Sequence, residues 1–194
     1  MIPALLLACA ANVAPVTLEA VIRVESQGNP LALHVNGLQV QPSAATNVSE
    51  AAGMAESYIR LGFSVDIGLM QINSRNLAAL GMTVERALDP CANIRGGAEI
   101  LTADYAEAAR RQGEGQPALR AALSAYNTGD FSRGFRNGYV ARYYGPGSVP
   151  ALAGGVRDAA VAGSSPAPPA PTPPNPYTAS TSVFARAARD VKID

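Results

Sequence analysis

Glu25 is the residue of this chain whose type and position best suit chemistry, and it lies in the stretch VIRVESQGNP (residues 21–30). Leu18, Val21, Ile22 and Glu25 are spaced at i, i+3, i+4 and i+7, so a helix through them places the carboxylate on its apolar stripe. Contact with apolar side chains disfavours the charged form of a carboxyl group and raises its pKa. Glu25 would then be protonated near neutral pH and could serve as a general acid, as cleavage of a glycosidic bond requires.

A structural role for Glu25 fits the same spacing, because the carboxylate could pair with Arg23 or with an arginine from elsewhere in the fold. Other kinds of chemistry have less support. His34 is the only histidine, neither cysteine has a neighbouring ligand, and no glycine-rich loop follows a predicted strand. Metal sites, Ser-His triads and phosphate loops are therefore disfavoured. The sequence indicates no metal and no organic cofactor.

Two further stretches place polar side chains beside apolar faces, GLMQIN (residues 68–73) and AYNTG (residues 125–129). In the first, Gln71 and Asn73 alternate with apolar residues, which would give a short strand one polar face. Capping of a following short helix is the alternative for Asn73. In the second, Tyr126 lies on the inward stripe of a predicted helix, where a role in the core is equally compatible with its position.

The elements that must position these residues are mostly helices. Pro15 suits the first turn of the helix that carries Glu25. Asn47 and Glu50 form a capping-box pattern for a helix that runs to Gly62.

Two more helices are predicted further along the chain. Asp89-Pro90 opens the first, in which Gly96 and Gly97 are unfavourable unless the helix packs closely against a neighbour. Pro117 begins the second. The apolar stripe of the first of these helices consists of Ile94, Ala98, Leu101 and Tyr105.

One β element is predicted around Asn36-Gly37, where LALHVNGLQVQ alternates loosely and the dipeptide is typical of a two-residue hairpin. The predicted fold class is therefore predominantly α, of the α+β type, with a small β-hairpin. The tail has a different composition: in PAPPAPTPPNP (residues 166–176) seven of eleven residues are proline. This composition predicts an extended spacer without a core. We expect a folded domain at residues 1–148 and a flexible tail at residues 149–194.

The bulk composition narrows the classes of protein. Apolar residues make up 48% of the 194 residues, and 15 basic residues balance 15 acidic ones. The balanced charge gives no reason to expect nucleic acid or an acidic membrane surface as a partner. No apolar run of about 18 residues occurs, so an integral membrane segment is not expected.

Cys9 and Cys91 are the only cysteines, so a single intramolecular disulfide can form. It would indicate an oxidising compartment such as the bacterial periplasm, whereas two buried free thiols fit the spacing equally well. The letters LLAC before Ala10 also look like a lipoprotein processing site, but no lysine or arginine precedes them. We favour a first helix at residues 3–12, and no export signal is evident in the chain.

The ordered motifs VESQGNP, GLMQIN and AYNTG resemble the lysozyme-like lytic transglycosylases, the SLT family, which is similar to glycoside hydrolase family 23. YVARYY (residues 139–144) is similar to the closing tyrosine motif of that family. ALHVNGLQV and LDPCANIRGGAEIL resemble the branch associated with type IV secretion and conjugation. The likeness covers roughly residues 1–148 and leaves the tail out.

The resemblance implies a lysozyme-like fold and a role for each matching residue. Glu25 would be the single catalytic acid, which protonates the glycosidic oxygen and then acts as base. Ser26 would support Glu25 or the loop beside it, and Met70 would wall the cleft. Gln71 and Asn73 would hydrogen-bond to sugar, and Asn127 would hold the sugar or the backbone turn. Tyr126 would orient Glu25, and Tyr139 would pack near the same site. The residues implied to bind or position the substrate and the acid are thus Ser26, Met70, Gln71, Asn73, Tyr126, Asn127 and Tyr139.

The implied substrate is the glycan strand of peptidoglycan. The 6-hydroxyl of N-acetylmuramic acid would attack its own anomeric carbon and leave a 1,6-anhydro end, so one carboxylate would suffice. Asp66 could instead enter the cleft as a second carboxylate about 6.5–9.5 Å from the first, as in an inverting lysozyme. Simple surface exposure of Asp66 is the other alternative.

The resemblance also implies a place of action and partners. The protein would open the cell wall in the periplasm for a type IV secretion or conjugation apparatus. Residues STSVFARAARDVKID at the end of the tail could form a short helix that docks on components of that apparatus, although such a terminus more often frays. A non-catalytic scaffold that only binds peptidoglycan is the competing class of function.

Overall fold

The computed structural model describes Ala4 and residues 8–144. Helices predominate among them, and the strands form one small sheet, so the predicted fold class is confirmed. The helices are α1 (Pro15–Ser26), α2 (Val48–Arg60), α3 (Val84–Ala87), α4 (Pro90–Gln112), α5 (Gln116–Thr128), α6 (Arg133–Arg136) and α7 (Ala141–Tyr144); the strands are β1 (Leu33–Val35), β2 (Val65–Ile67) and β3 (Ile72–Asn73), and a 3₁₀ turn covers Ser74–Asn76.

The predicted helix starts are confirmed by their caps. The Asn47 side chain accepts a hydrogen bond from the Glu50 backbone N–H, 2.9 Å away. The Glu50 carboxylate reaches back to the backbone N–H of Thr46, one residue before the cap. The Asp89 carboxylate accepts from the backbone N–H of Ala92 at the start of α4. The bonds from Glu50 and Ala92 satisfy backbone donors that the first turn of a helix leaves without a partner.

The sheet is antiparallel with the order β1-β2-β3. His34 of β1 lies opposite Asp66 of β2, and Asp66 lies opposite Asn73 of β3. This register places Asp66 and Asn73 beside each other at the edge of the cleft described below. The motif GLMQIN (residues 68–73) covers the connection between β2 and β3 and β3 itself.

The hairpin predicted around Asn36-Gly37 was wrong in its location, because no strand follows that turn. The Gln41 side chain takes the place of a returning strand: its Oε1 accepts from the backbone N–H of Val35 at 2.7 Å, and its Nε2 donates to the carbonyl oxygen of Val35 at 2.9 Å. The actual partner of β1 is β2, far along the chain.

A disulfide joins Cys9 to Cys91, with the two Cα atoms 5.4 Å apart. It links the N-terminal segment to the first turn of α4 and settles the alternative of free thiols. The sulfur of Cys9 is thereby occupied, which contradicts its interpretation as an acylation site. Residues 8–12 form turns, so the helix predicted for residues 3–12 does not extend over them. Residues 3 and 5–7 of that prediction lie outside the described residues.

Two hydrophobic clusters form the core. The larger cluster packs α1, α4 and α5 together and includes Leu18, Leu101, Leu123 and Tyr143. The smaller cluster lies between the sheet and α2. Among residues 8–144, no helix is long and apolar enough to cross a membrane. The predicted end of the domain at residue 148 and the proline-rich tail lie outside the described residues.

The two glycines of α4 mark the close packing that the sequence predicts. A Cβ atom at Gly97 would lie 2.6 Å from the Met70 Cβ, and one at Gly96 would lie 2.7 Å from the Met82 Cε. Any larger residue at position 97 would therefore push the helix away from the β2-β3 connection.

Gly97→Ala is expected to lower the free energy of unfolding by about 1–2 kcal/mol, because the added methyl group overlaps Met70. Gly53→Ala is the matched control, since Gly53 lies inside α2 and a Cβ there meets nothing within 4 Å. The control should raise the free energy of unfolding by up to about 1 kcal/mol through helix propensity. Urea unfolding followed by circular dichroism measures both, and the same sign for both substitutions would contradict the proposed close contact.

Candidate active site

A cleft of about 530 Å³ lies where the end of α1, the sheet, α4 and the end of α5 meet. Its walls include Ile72 of the smaller hydrophobic cluster and Tyr126, which packs against the larger one. Five of the residues that the sequence analysis singled out line this cleft, namely Glu25, Gln71, Asn73, Tyr126 and Asn127. The alternative carboxylate, Asp66, also lines it.

Glu25 lies in the last turn of α1. The helix ends at Ser26 because Gln27 and Gly28 adopt left-handed backbone conformations, with φ of 56° and 84°. The carboxyl group is therefore at the edge of the apolar core and reaches the cleft. The hydroxyl group of Tyr139 donates a hydrogen bond to Glu25.

The contacts around Tyr139 extend this arrangement. Its hydroxyl oxygen lies 2.7 Å from the hydroxyl oxygen of Tyr143, a fully buried residue. The guanidinium group of Arg142 donates to the carbonyl oxygen of Val24 at 2.8 Å. The motif YVARYY thus closes over the end of α1 and supports the carboxyl group of Glu25 from behind.

Burial raises the pKa of Glu25 from its ordinary value of 4.5 to about 7. The negative charge of Asp66 raises it further by a smaller amount, whereas the hydrogen bond from Tyr139 and the positive charge of Arg142 lower it. Near neutral pH the carboxyl group therefore exists in comparable amounts as acid and as carboxylate. Such a group can both donate and accept a proton.

Tyr126, which the resemblance implies would orient Glu25, forms no hydrogen bond with it among the described residues. Its hydroxyl group donates to the carbonyl oxygen of Met70 at 2.7 Å, and the direct hydrogen bond to the acid comes from Tyr139. Met70 does not wall the cleft, since its side chain is 0% exposed and packs on Gly97. Met70 contributes to the site through its backbone carbonyl oxygen, which accepts the hydrogen bond from Tyr126.

Ser26 supports the loop beside the acid. Its hydroxyl group donates to the carbonyl oxygen of Leu69 at 2.7 Å and accepts from the backbone N–H of Gly28 at 3.2 Å. The end of α1 is thereby tied to the connection between β2 and β3. The resemblance implies that Ser26 supports either Glu25 or the loop beside it, and these hydrogen bonds correspond to support of the loop.

Gln71 and Asn73 use part of their polar groups within the protein. Gln71 has a left-handed backbone, and its side-chain Nε2 donates to the carbonyl oxygens of Ala32 and Gly68. Asn73 caps the 3₁₀ turn by accepting from the backbone N–H of Arg75 at 3.0 Å. The capping alternative for Asn73 is confirmed.

Asn127 reaches a different part of the structure. Its Oδ1 accepts a hydrogen bond from the Asn137 side chain at 3.2 Å. This bond joins the end of α5 to the segment just before Tyr139. Asn127 therefore links the AYNTG motif to the closing tyrosine motif, and it also lines the cleft.

Asp66 enters the cleft, but both of its carboxylate oxygens are occupied by amide donors. Oδ1 accepts from Asn73 at 2.6 Å, and Oδ2 accepts from Asn36 at 2.9 Å. These contacts bind the three strands together at their edge. They leave Asp66 poorly placed to take a proton from a water molecule, as an inverting hydrolase would require.

Two residues of the site, Asn93 and Asp104, were not predicted from the sequence. Asn93 is 1% exposed, and its side chain hydrogen-bonds to the backbone of three residues: Ile67, Met70 and Ala87. The sequence feature that could have indicated its role is the position of this asparagine directly before the apolar stripe of α4. Asp104 lines the cleft from α4, one turn after Ile100, and burial raises the pKa of its carboxyl group to about 6. The sequence feature that could have indicated the partial burial of Asp104 is its position next to Tyr105, which is on the apolar stripe.

The cleft, its partly buried acid and the closing tyrosines can be compared with known proteins. The sequence profile described as "Transglycosylase SLT domain" matches residues 5–143, which is most of the chain. The chain belongs to the SLT transglycosylase family. The motifs that carry the resemblance all lie within the matched residues of this SLT domain or at its end.

Two relatives illustrate the similarity. "Protein virB1" of Agrobacterium fabrum is 45% identical over 132 residues, which are 68% of this chain and 53% of that protein. "Type IV secretion system protein virB1" of Brucella abortus is 41% identical over 141 residues, which are 70% of this chain and 58% of that protein. The chain thus spans about half the length of the curated relatives it matches. No solved structure gives a significant match.

The pKa of Glu25 makes the stability of this SLT domain depend on pH. The folded protein, with a pKa of about 7, binds the proton more tightly than the unfolded chain, with a pKa of 4.5. The free energy of unfolding contributed by this group is therefore highest below about pH 4.5 and is lost as the pH rises through about 7.

Glu25→Gln is expected to remove this dependence, because the amide stays neutral at every pH. The variant should match the wild type near pH 4 and exceed it by about 2–3 kcal/mol near pH 8. Urea unfolding at several pH values measures the difference. Glu99→Gln, at an exposed position of α4, is the control and should follow the wild type. A constant offset of Glu25→Gln at all pH values would contradict the raised pKa.

Proposed function

We propose that the protein is a lytic transglycosylase that cleaves the β-1,4 bond between N-acetylmuramic acid and N-acetylglucosamine in peptidoglycan. The supporting observation is Glu25, a carboxyl group with a pKa of about 7 at the end of a buried helix stripe, open to a cleft and hydrogen-bonded by Tyr139. Membership of the SLT transglycosylase family supports the same assignment.

In the proposed reaction one carboxyl group acts twice. Glu25 first donates its proton to the glycosidic oxygen as the bond from that oxygen to the anomeric carbon breaks. The resulting carboxylate then takes the proton of the 6-hydroxyl group of the muramic acid, whose oxygen bonds to the anomeric carbon. The products are a free 4-hydroxyl and a 1,6-anhydro end, and no water is consumed.

The chain's own residues favour this cycle at each stage. The hydrogen bond from Tyr139 stabilises the carboxylate form that follows the first proton transfer, and the buried surroundings favour its return to the acid. Gln71, Asn127 and the rest of the cleft wall are proposed to bind the sugars. Tyr126 is proposed to act on the site by fixing the backbone at Met70, to which it donates its hydrogen bond.

A lysozyme-type hydrolase is the second candidate, and the position of Asp66 in the cleft is the observation that favours it. It would need Asp66 to activate a water molecule. The two amide donors on Asp66 count against that role, since they already hold both oxygens of the carboxylate. The non-catalytic scaffold has no comparable support in the cleft.

Glu25→Gln should lower the rate of glycan cleavage by about 10²–10⁴-fold or more, because the amide keeps the shape of the side chain but has no acidic proton. Mass spectrometry of the fragments released from purified peptidoglycan measures this and identifies the ends. We expect 1,6-anhydro ends from the wild type and from Glu99→Gln. Reducing ends that disappear in Asp66→Asn would point to the hydrolase, and unchanged release by Glu25→Gln would exclude Glu25 as the acid.

We further propose that the enzyme works in the periplasm as part of a type IV secretion or conjugation apparatus. The Brucella relative is named as a type IV secretion system protein, and the Cys9–Cys91 disulfide suits an oxidising compartment. Peptidoglycan lies in that compartment. Local cleavage of its glycan strands would let the apparatus cross the wall.

The tail is proposed to bind components of that apparatus. A chain lacking residues 149–194 should release the same glycan fragments at the same rate as the full chain, because the cleft is built from residues 25–129. It should lose secretion or conjugation in a complementation assay. Loss of glycan cleavage, or full complementation by the truncated chain, would contradict this division of roles.

A further inference from the structure

Three carboxyl groups line the cleft, those of Glu25, Asp66 and Asp104. Glu25 accepts a hydrogen bond from Tyr139, and Asp66 accepts hydrogen bonds from two asparagine side chains. Asp104 differs from both, because no described residue donates a hydrogen bond to it or forms an ion pair with it. Its place in the cleft therefore has no explanation in the contacts of the folded domain.

The surroundings of Asp104 make such a group costly. It projects from α4 beside Ile100 and is partly buried. Burial raises the pKa of its carboxyl group, and no described arginine forms an ion pair with it. A partly buried carboxylate without a partner lowers stability, and a ligand that supplies the missing donor regains that free energy.

The charge of the cleft wall decides what kind of ligand fits. Its acidic and basic side chains are the three carboxyl groups and one guanidinium, that of Arg75. Arg75 follows Asn73 on the 3₁₀ turn beside the sheet, whereas Asp104 is on α4. The excess of negative charge favours a cation over an anion, and a carboxylate forms its strongest hydrogen bonds with a charged donor.

We propose that Asp104 is a specificity-determining residue that binds a primary ammonium group of the peptidoglycan substrate. The inference rests on the proposed function only for the identity of the substrate. Peptidoglycan carries primary amines in two places, the side chain of the diamino acid in its peptide stems and any hexosamine that lacks its N-acetyl group. Either one presents the same chemistry to Asp104.

Binding to purified sacculi tests the proposal without depending on turnover. The full-length Glu25→Gln variant is compared with the double variants Glu25→Gln/Asp104→Asn and Glu25→Gln/Glu99→Gln by cosedimentation. Sacculi are used as purified and after treatment with acetic anhydride, which converts primary ammonium groups into neutral amides. Glu99 is the matched control because it is an exposed carboxylate of the same helix.

The Asp104→Asn change should weaken binding to untreated sacculi about tenfold, as expected for loss of one charge-assisted hydrogen bond. Acetylation should weaken binding of Glu25→Gln and of the Glu99 control by the same factor. It should have no further effect on the variant that lacks the Asp104 carboxylate. Equal binding with and without Asp104, or an acetylation effect that does not depend on Asp104, would overturn the proposal.

Glycan strands freed from their stems by an amidase separate the two sources of the amine. Loss of the Asp104 effect on these strands assigns the ammonium to the stem peptide, and its persistence assigns it to the unacetylated hexosamine. Cleavage by the wild-type chain is measured on the same sacculi. Absence of cleavage together with binding that depends on Asp104 and on free amines would reject the transglycosylase but keep this binding site.

Discussion

The buried amide of Asn93 holds together the parts of the protein that form the cleft. Its Oδ1 accepts from the backbone N–H of Met70 at 2.7 Å, and its Nδ2 donates to the carbonyl oxygens of Ile67 and Ala87 at 2.8 and 2.6 Å. A Cβ at Gly68 would lie 2.4 Å from that Nδ2, so the loop approaches the amide as closely as only glycine allows. Each backbone group left unpaired here would cost about 1–3 kcal/mol.

The same loop also receives hydrogen bonds from α1 and α5. Ser26 at the end of α1 donates to the carbonyl oxygen of Leu69, and Tyr126 of α5 donates to that of Met70. Together with Asn93, these side chains satisfy three backbone groups of two consecutive residues. The acid at the end of α1 and the polar edge of the sheet are therefore positioned by one short stretch of backbone. Ser26, Met70 and Tyr126 all belong to the motifs, and these contacts give each of them a structural role in the fold.

Local patterns predicted the elements but not the contacts between distant residues. Capping by Asn47, the close packing at Gly97 and the inward position of Glu25 follow from signals within one helix, and the structure contains them. The hairpin at Asn36-Gly37 failed because a single side chain, Gln41, completes the hydrogen bonds of β1. No local signal distinguishes that arrangement from a second strand.

The site shows the same limit. The alternation from Met70 to Asn73 predicted a short strand, but only Ile72–Asn73 form one and Gln71 has a left-handed backbone in the turn before it. The pattern also did not reveal that Gly97 provides the space into which the Met70 side chain packs. Tyr126 and Tyr139 are both tyrosines of motifs, and only the packing of the last segment against α1 determines that Tyr139 contacts the acid. Asp104 was missed because a carboxylate next to an apolar stripe looks like a solvated helix position.

The pKa of Glu25 results from opposing effects, and the double role proposed for this group requires such a compromise. Burial alone would favour the acid so strongly that the proton would be lost with difficulty, whereas full exposure would leave a carboxylate with no proton to give. Tyr139 and Arg142 oppose the effect of burial, and the resulting pKa of about 7 lies close to neutral pH. Tyr143 adds a second hydroxyl group behind Tyr139, 2.7 Å away. The closing tyrosine motif therefore sets both the position of the carboxyl group and the ease with which it exchanges a proton.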